Sequence, residues 1–411
     1  MRIFRRGSLG VSRDLVKLVV FLSLSYGLWG LAYSSYSYLV RYYAKDLSIP
    51  YSSQALYEFV GNMLSIIIIL AIGILADYIG RVRTAFATTL IPVSSPLILL
   101  VASSLESVMY ALILLNISFT TGVVARNLMI IEIGGEILGR LIGVVMTFNS
   151  LAMIIGPLIG YYIKALFGYK AYFASVMLMF LISSLLILPI DKIYRRNNFT
   201  PQIAEETRVF STRIIRDLAY MRGISGVLAV FLVFVVIDKF TYNMWAQLLF
   251  ALVSYENIPS EISAYLLTTQ NLSWFLSQYL FGHLSDKINP VYVISLSELL
   301  TGLSALTIAL SLQTNYVIGV LISFILLGLS IASWIPSYNK FIQLNVSYRD
   351  RAIVLSLLNI YAILIGSPGP FVGSLIRDAL IPKLTQLYLA SILHIINAVA
   401  IITLIRRLDK K

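Results

Sequence analysis

The sequence predicts an all-α membrane protein: twelve transmembrane helices in two pseudo-symmetric six-helix bundles. Three observations carry this. Of 411 residues, 59% are hydrophobic and only 12% charged, where soluble domains carry about a quarter charged residues. Apolar runs of bilayer-spanning length, about 20 residues, recur twelve times. Short motifs built on glycine, aspartate and proline occur once in each half at nearly the same offset.

The spans are read at 15–41, 54–77, 84–104, 107–130, 140–163 and 170–190, then 224–253, 261–285, 290–311, 315–338, 352–376 and 384–405. The basic start Met1-Arg-Ile-Phe-Arg-Arg6 precedes an apolar run from Leu18 to Val40. That run is long enough to span, so it is read as an uncleaved first helix and not as a signal peptide. Between the ninth and tenth spans no charge occurs from Leu299 to Asn339. The division is placed at Gln313-Thr-Asn315, because one helix there would be twice the bilayer thickness. The polar stretch 191–223 separates an N-terminal bundle, 1–190, from a C-terminal bundle, 224–411. Its part from Thr207 to Leu218 alternates apolar and basic residues, as suits either a short helix on the membrane surface or a solvated tether.

Lys and Arg are unevenly distributed. One set of loops holds both termini, Arg81, Arg83, Arg140, the linker, Lys287, Lys340, Arg349 and Arg351; the other holds only Arg41, Lys45, Lys164, Lys170, Arg377 and Lys383. The positive-inside rule then puts both termini in the cytoplasm of a multi-pass protein of the plasma membrane. The net charge of +12 is accounted for by this topology, and no nucleic-acid partner is expected. With no Cys and only His283 and His394, a thiolate site, a thiol catalyst and a histidine-rich metal site are excluded. No cofactor is expected.

Two motif pairs mark the repeat. Gly73-Ile-Leu-Ala-Asp77-Tyr-Ile-Gly80-Arg81-Val-Arg83 follows the second span, and Gly282-His-Leu-Ser-Asp286-Lys287-Ile-Asn289-Pro290 follows the eighth. Gly156-Pro157-Leu-Ile-Gly160 in the fifth span is matched by Gly369-Pro370-Phe-Val-Gly373 in the eleventh. Glycines at this spacing let helix backbones approach closely.

The first loop resembles the signature of major facilitator superfamily transporters, and the resemblance covers essentially the whole chain. It implies a monomeric secondary transporter, working by alternating access on a small-molecule substrate in the lipid bilayer, with a coupling proton. It also implies a latch. Asp77 would face the start of the eleventh helix near Arg351, whose dipole favours an anion, and Asp286 would face the start of the fifth near Arg140. The chain departs from the family pattern at Tyr78, Val82 and Asn289-Pro290.

Charges inside spans are functional candidates by default. Asp238 and Lys239 stand near the middle of the seventh span, about 100° apart on a helix. They are read either as a coupling or substrate-charge pair or as a structural ion pair. Glu58 and Glu298 lie a turn or two inside their spans, where interface anchoring and function are equal readings. Arg126, with Glu132 six residues on, is assigned a gating or interfacial role. The resemblance makes the first, fourth, seventh and tenth helices line the cavity. Their candidates are Tyr26, Trp29, Tyr33, Asn116, Thr120, Tyr242, Asn243, Trp245, Ser330 and Trp334, an aromatic set that suits an organic cation, an apolar drug or a sugar.

The expected function is therefore movement of a small organic solute coupled to protons. Efflux is favoured through the partial likeness of the fifth-span motif to the family's antiporter motif. Proton-coupled uptake of a sugar, an organic acid or a similar metabolite is the alternative, and a non-transporting sensor is the alternative of another class. The fourth span has no arginine from Ala111 to Thr120, which counts against a plain drug–proton antiporter. No Gly-x-x-x-x-Gly-Lys-Ser/Thr phosphate loop is present, so ATP is not the motor, and isolated histidines argue against an enzyme.

Overall fold

A computed structural model describes residues 13–134, 138–196, 226–346, 351–379 and 384–408. Its elements are α1 (Arg13–Asp46), α2 (Tyr51–Ile79), α3 (Arg81–Thr89), α4 (Ile91–Val101), α5 (Leu105–Gly134), α6 (Leu138–Leu185), α7 (Ile187–Arg196), α8 (Gly226–Trp245), α9 (Leu249–Tyr255), α10 (Ser260–Lys287), α11 (Pro290–Gln313), α12 (Val317–Asn345), α13 (Arg351–Gly366), α14 (Gly369–Ala379) and α15 (Thr385–Leu408). Helix is the only regular structure among the described residues, as lipid demands of a chain that must satisfy every backbone group within each segment.

Ten described stretches are by themselves long and apolar enough to cross a membrane. One of them, Leu141–Ile193, crosses twice, because Gly168 leaves helical geometry at φ 79° and turns the chain. Ser260–Lys287 is long enough but more polar, and completes twelve spans. The third, seventh and eleventh spans are each built of two helices: α3 with α4, α8 with α9, α13 with α14. The ninth and tenth are separated at Thr314 to Tyr316, with Asn315 at φ 56°. An even number of crossings puts both chain ends on one face, called here the terminal face; the other is the distal face.

The repeat extends to the distal turns. Ser48 (φ 57°) and Asn257 (φ 62°) reverse the chain before Ile-Pro, and Pro50 and Pro259 then open α2 and α10 with nearly the same backbone angles. Gly80 takes φ 91° between α2 and α3, a conformation that costs a side-chain-bearing residue but not glycine.

The paired glycine motifs hold each half together. A methyl built on Gly156 would strike Ser34 and Leu31 of α1, and one on Gly160 would strike Ser35. In the second half, Gly369 is covered by Phe240, Asn243 and Met244 of α8, and Gly373 by the Met244 carbonyl. Pro157 keeps its carbonyl oxygen occupied by Tyr38 Oη at 2.9 Å, and Pro370 is buried in the corresponding helix of the other half.

Apolar packing differs between the two faces. On the distal side, one cluster joins Tyr38, Tyr42 and Phe173 to Ala264 and Leu267, and another joins Tyr51 and Ala55 to Trp245, Leu252 and Phe324. Both cross from one half to the other. On the terminal side, the cluster around Leu22, Tyr26, Met129 and Ile190 contains first-half residues alone, and that around Phe231, Phe341 and Ile401 second-half residues alone. The halves are thus joined distally and separately packed towards the termini.

Candidate functional site

The first span brings Tyr33 and Trp29 to the middle of the fold, two turns from Arg41. Trp29 and Tyr33 stack at 5.1 Å with their planes 5° apart, and Phe119 of the fourth span stacks on Tyr33 at 4.8 Å. Phe119 is exposed, whereas Trp29 is buried beneath it. This aromatic wall faces the seventh span. There Tyr242 lies 6.4 Å from Trp245, ring centre to ring centre.

Where α8 ends and α9 begins, the break at 246–248 turns Gln247 towards the first half. Its Nε2 donates to Glu58 Oε2 at 2.7 Å, Asn62 Oδ1 at 3.2 Å and Asn116 Oδ1 at 3.3 Å, and its Oε1 accepts from Asn62 Nδ2 at 3.1 Å. Glu58, fully buried, also pairs with buried Arg41. One amide therefore ties the seventh span to the second and fourth through a charged acceptor, the stronger kind of hydrogen bond. The sequence places Arg41 among distal loop residues and offers interface anchoring for Glu58. Both expectations yield to a buried ion pair, because α1 runs to Asp46, beyond the expected end at 41.

Asp238 and Lys239 face different surroundings. Asp238 meets His394 of α15 and Glu298 of α11: His394 Nδ1 lies 2.8 Å from Glu298 Oε2 and 3.9 Å from Asp238 Oδ1. Asp238 keeps 16% side-chain exposure, and the other two keep none. Each offers one ligand atom within 4.8 Å of the others, a spacing that can share a proton and that would also admit a small cation. Glu298 is therefore no interface anchor. In the first half, Ser25 of the first span and Ser183 of the sixth bond each hydroxyl to the other's carbonyl at 2.7 Å. Lys239 turns away from the triad. Its ammonium lies 5.5 Å from the Tyr242 ring centre, and its stem passes Gly366 of the eleventh span.

Arg126 is 1% exposed. Its guanidinium lies over Tyr26 (5.0 Å) and Trp29 (5.2 Å), and it donates to Ser183 Oγ at 2.6 Å and Ser25 O at 3.4 Å. It is a core cation of the first half, not an interfacial residue.

Other cavity candidates separate into two groups. Asn116 Oδ1 takes the Gln247 bond described above, and Thr120 Oγ1 donates to Asn116 O of its own helix at 3.2 Å. Trp334, half-buried, stacks on Tyr338 at 5.8 Å. Three are buried in contacts with neighbouring helices. Trp245 is wholly buried in the distal apolar cluster. Ser330 bonds Ser297 and Thr301 of α11. Asn243 donates to Gly366 O at 3.1 Å. Serine, asparagine and tryptophan in a lipid-embedded helix pack against neighbours as readily as they face water, which is why composition cannot separate these roles.

For the latch, the surroundings of Gly73 and the side chains of Asp77, Arg140, Arg351 and Glu132 lie outside the described residues, as do 197–225 of the linker. Asp286 pairs with Lys340 of its own half at 3.0 Å, and not with a described residue of the fifth span. Arg83 lies 3.8 Å from Asp191; Arg81 also has a partner. Lys287 is exposed and Gly282 partly so. Gly282, Ser285, Asp286, Pro336, Asn339 and Lys340 help line a terminal-face cavity of 390 Å³.

The distal face carries its own closure, which sequence reasoning missed. Tyr42 Oη lies 2.7 Å from Ile258 O and 2.6 Å from Ser263 Oγ, and Lys45 Nζ donates to Asn257 Oδ1 at 3.0 Å. Arg377 pairs with Glu256 at 2.9 Å while covering the Tyr51 ring at 4.6 Å. The positions of Lys45, Arg377 and Glu256 beside predicted span ends are the only sequence signal for it.

A Major Facilitator Superfamily model matches residues 22–405. No curated protein matches the sequence. Among solved structures, the chain is similar to a mutant of the nucleoside transporter NupG (13% identity, TM-score 0.74, covering 95% of this chain and 99% of that one). It is similar also to the POT family transporter PepTSo (10%, 0.71, 96% and 98%) and to the xylose transporter XylE from E. coli in a partially occluded inward open conformation (13%, 0.64, 93% and 96%).

Proposed function

Since the chain belongs to the Major Facilitator Superfamily, we propose that it is a secondary active transporter that moves a small polar organic solute by alternating access and couples that movement to protons. The observation that carries this is the one-sided packing of the halves. Apolar clusters cross between them distally and stop within each half towards the termini. A solute site reached from one face, with hydrogen-bonding groups from both halves at its closed end, is what such a cycle requires.

In this reading the solute rests between the Trp29–Tyr33–Phe119 wall and Tyr242, with Asn62, Asn116 and Gln247 at the closed end. Opening the distal face breaks the Gln247 bonds and lifts Arg377 off the Tyr51 ring; closing the terminal face brings the repeated loops together as the latch. With the termini cytoplasmic, by the positive-inside rule, the structure is the inward-facing state. The domain boundaries 1–190 and 224–411 are the two moving units. The proton is held at Asp238, Glu298 and His394, with Asp238 as its entry because it alone of the three keeps exposure. The ground for export weakens: Gly156 and Gly160 make the same close helix approach as their twins Gly369 and Gly373, so the motif has a packing role in both halves. Direction then follows the gradients applied.

The test is flux in proteoliposomes under an imposed pH gradient, with sugars, nucleosides, dipeptides and organic acids as probes. Accumulation that collapses with the gradient supports the reading. A probe that binds the purified protein and never crosses would refute it.

A further inference from the structure

We infer that the transported solute is an organic anion, and that Lys239 is the group that holds its carboxylate. This rests on the transporter reading above and adds the substrate class.

Charges in the membrane interior are unevenly matched. Every described acid there is engaged: Glu58 with Arg41, Glu256 with Arg377, and Asp238 and Glu298 with His394. Two described cations have no acid partner among the described residues. Lys239 stands in the middle of the seventh span, half-buried, with neither ion pair nor hydrogen bond and with its ammonium against the open face of Tyr242. Arg126 lies behind the aromatic wall with only neutral partners, and its Nε, together with Tyr26 Oη and Trp29 Nε1, is buried without a hydrogen-bond partner. The aromatic wall and Tyr242, between which the solute is placed above, are thus each backed by a positive charge. A cation uncompensated at membrane depth is costly, and a solute carboxylate removes that cost when it binds.

The geometry also divides the labour. Asp238, the adjacent residue, is turned about a quarter of the way round the helix towards α11 and α15, so it makes no direct ion pair with Lys239 and is engaged with His394. Tyr33, in the aromatic wall, and Tyr242, beside Lys239, offer hydroxyls and ring faces to the body of the solute. Arg126, covered by Trp29, contributes field and not contact. An organic cation, one of the substrates the aromatic content alone would suit, meets the wrong sign here.

The test uses the full-length protein in nanodiscs with matched probes: nicotinate and nicotinamide, phenylacetate and phenylacetamide, dialanine and its amide, with xylose and uridine as neutral controls. The expected result is binding of the carboxylate member of a pair about tenfold to a hundredfold tighter than its amide, the worth of one charge-assisted hydrogen bond. In Lys239→Gln that preference disappears, and in Lys239→Arg it is largely kept, which separates charge recognition from misfolding. Equal binding of acid and amide, absence of carboxylate binding, or transport of xylose or uridine that is unchanged in Lys239→Gln overturns the inference and leaves the transporter reading intact. Carboxylate binding with no flux in liposomes upholds the anion site and sinks the transporter reading.

Discussion

Replacing Gln247 by leucine should tip the protein towards opening at its distal face. Leucine keeps most of the volume but removes a donor that reaches Glu58, Asn62 and Asn116 and an acceptor that takes Asn62 Nδ2. The Glu58 bond, at 2.7 Å to a charged acceptor, is worth about 2 kcal/mol net, and the longer neutral bonds together about 1 kcal/mol. A loss of about 3 kcal/mol corresponds to roughly a hundredfold change in the balance of the two states. Glu58 retains Arg41, so no buried charge is left unpaired and the fold should survive. The chain has no native cysteine, so two can be introduced cleanly. Spin labels at Phe167 and Tyr316, exposed residues of opposite halves on the distal face, read the separation directly. The wild type should give one short distance, and Gln247→Leu a second, longer one. An unchanged distribution in a folded variant would refute the assignment of Gln247 as a tie between the halves.

Other predictions follow from the same contacts. Arg377→Ala removes the stack on Tyr51, which crosses between the halves, and the pair with Glu256, which lies within the second half; the same labels should show opening worth about 1 kcal/mol, the value of the cation–π contact alone. Gly373→Leu forces a side chain into the Met244 carbonyl and should lower the melting temperature in detergent by several degrees, an overpacking cost of about 1–3 kcal/mol or more. Gly143→Ala, where nothing stands within 4 Å, should leave it unchanged. Asp238→Asn should abolish accumulation driven by a pH gradient while solute exchange at equal pH persists; accumulation at the wild-type level would remove the triad from coupling.

The sequence carries the architecture well, because lipid allows so few solutions. Twelve apolar runs and the glycine pairs are each a local signal with one outcome. The polar centres are less legible. His394 is far from Asp238 in the chain and stands alone in an apolar helix, and only folding brings it to Glu298. Arg41 reads as a loop residue because the first helix outruns the apolar stretch that announces it. Gln247 is unremarkable until the break between α8 and α9 aims it across the interface. Trp245 and Ser330 mislead in the other direction, being polar or amphipathic groups consumed by packing. A clearer reading was open in one place: Ser48-Ile-Pro50 and Asn257-Ile-Pro259 repeat at the offset of the two aspartate motifs, and that pair marks the distal turns whose neighbours close the gate.

The measurement that bears most directly on alternating access is the distance across each face of one protein in one membrane. Labels at Phe167 and Tyr316 report the distal face, and labels at Lys192 and Lys287, both exposed, report the terminal face. Adding a bound carboxylate probe and a pH gradient should lengthen the first distance and shorten the second together. Two distances that stay fixed, or that change independently of one another, would contradict the account.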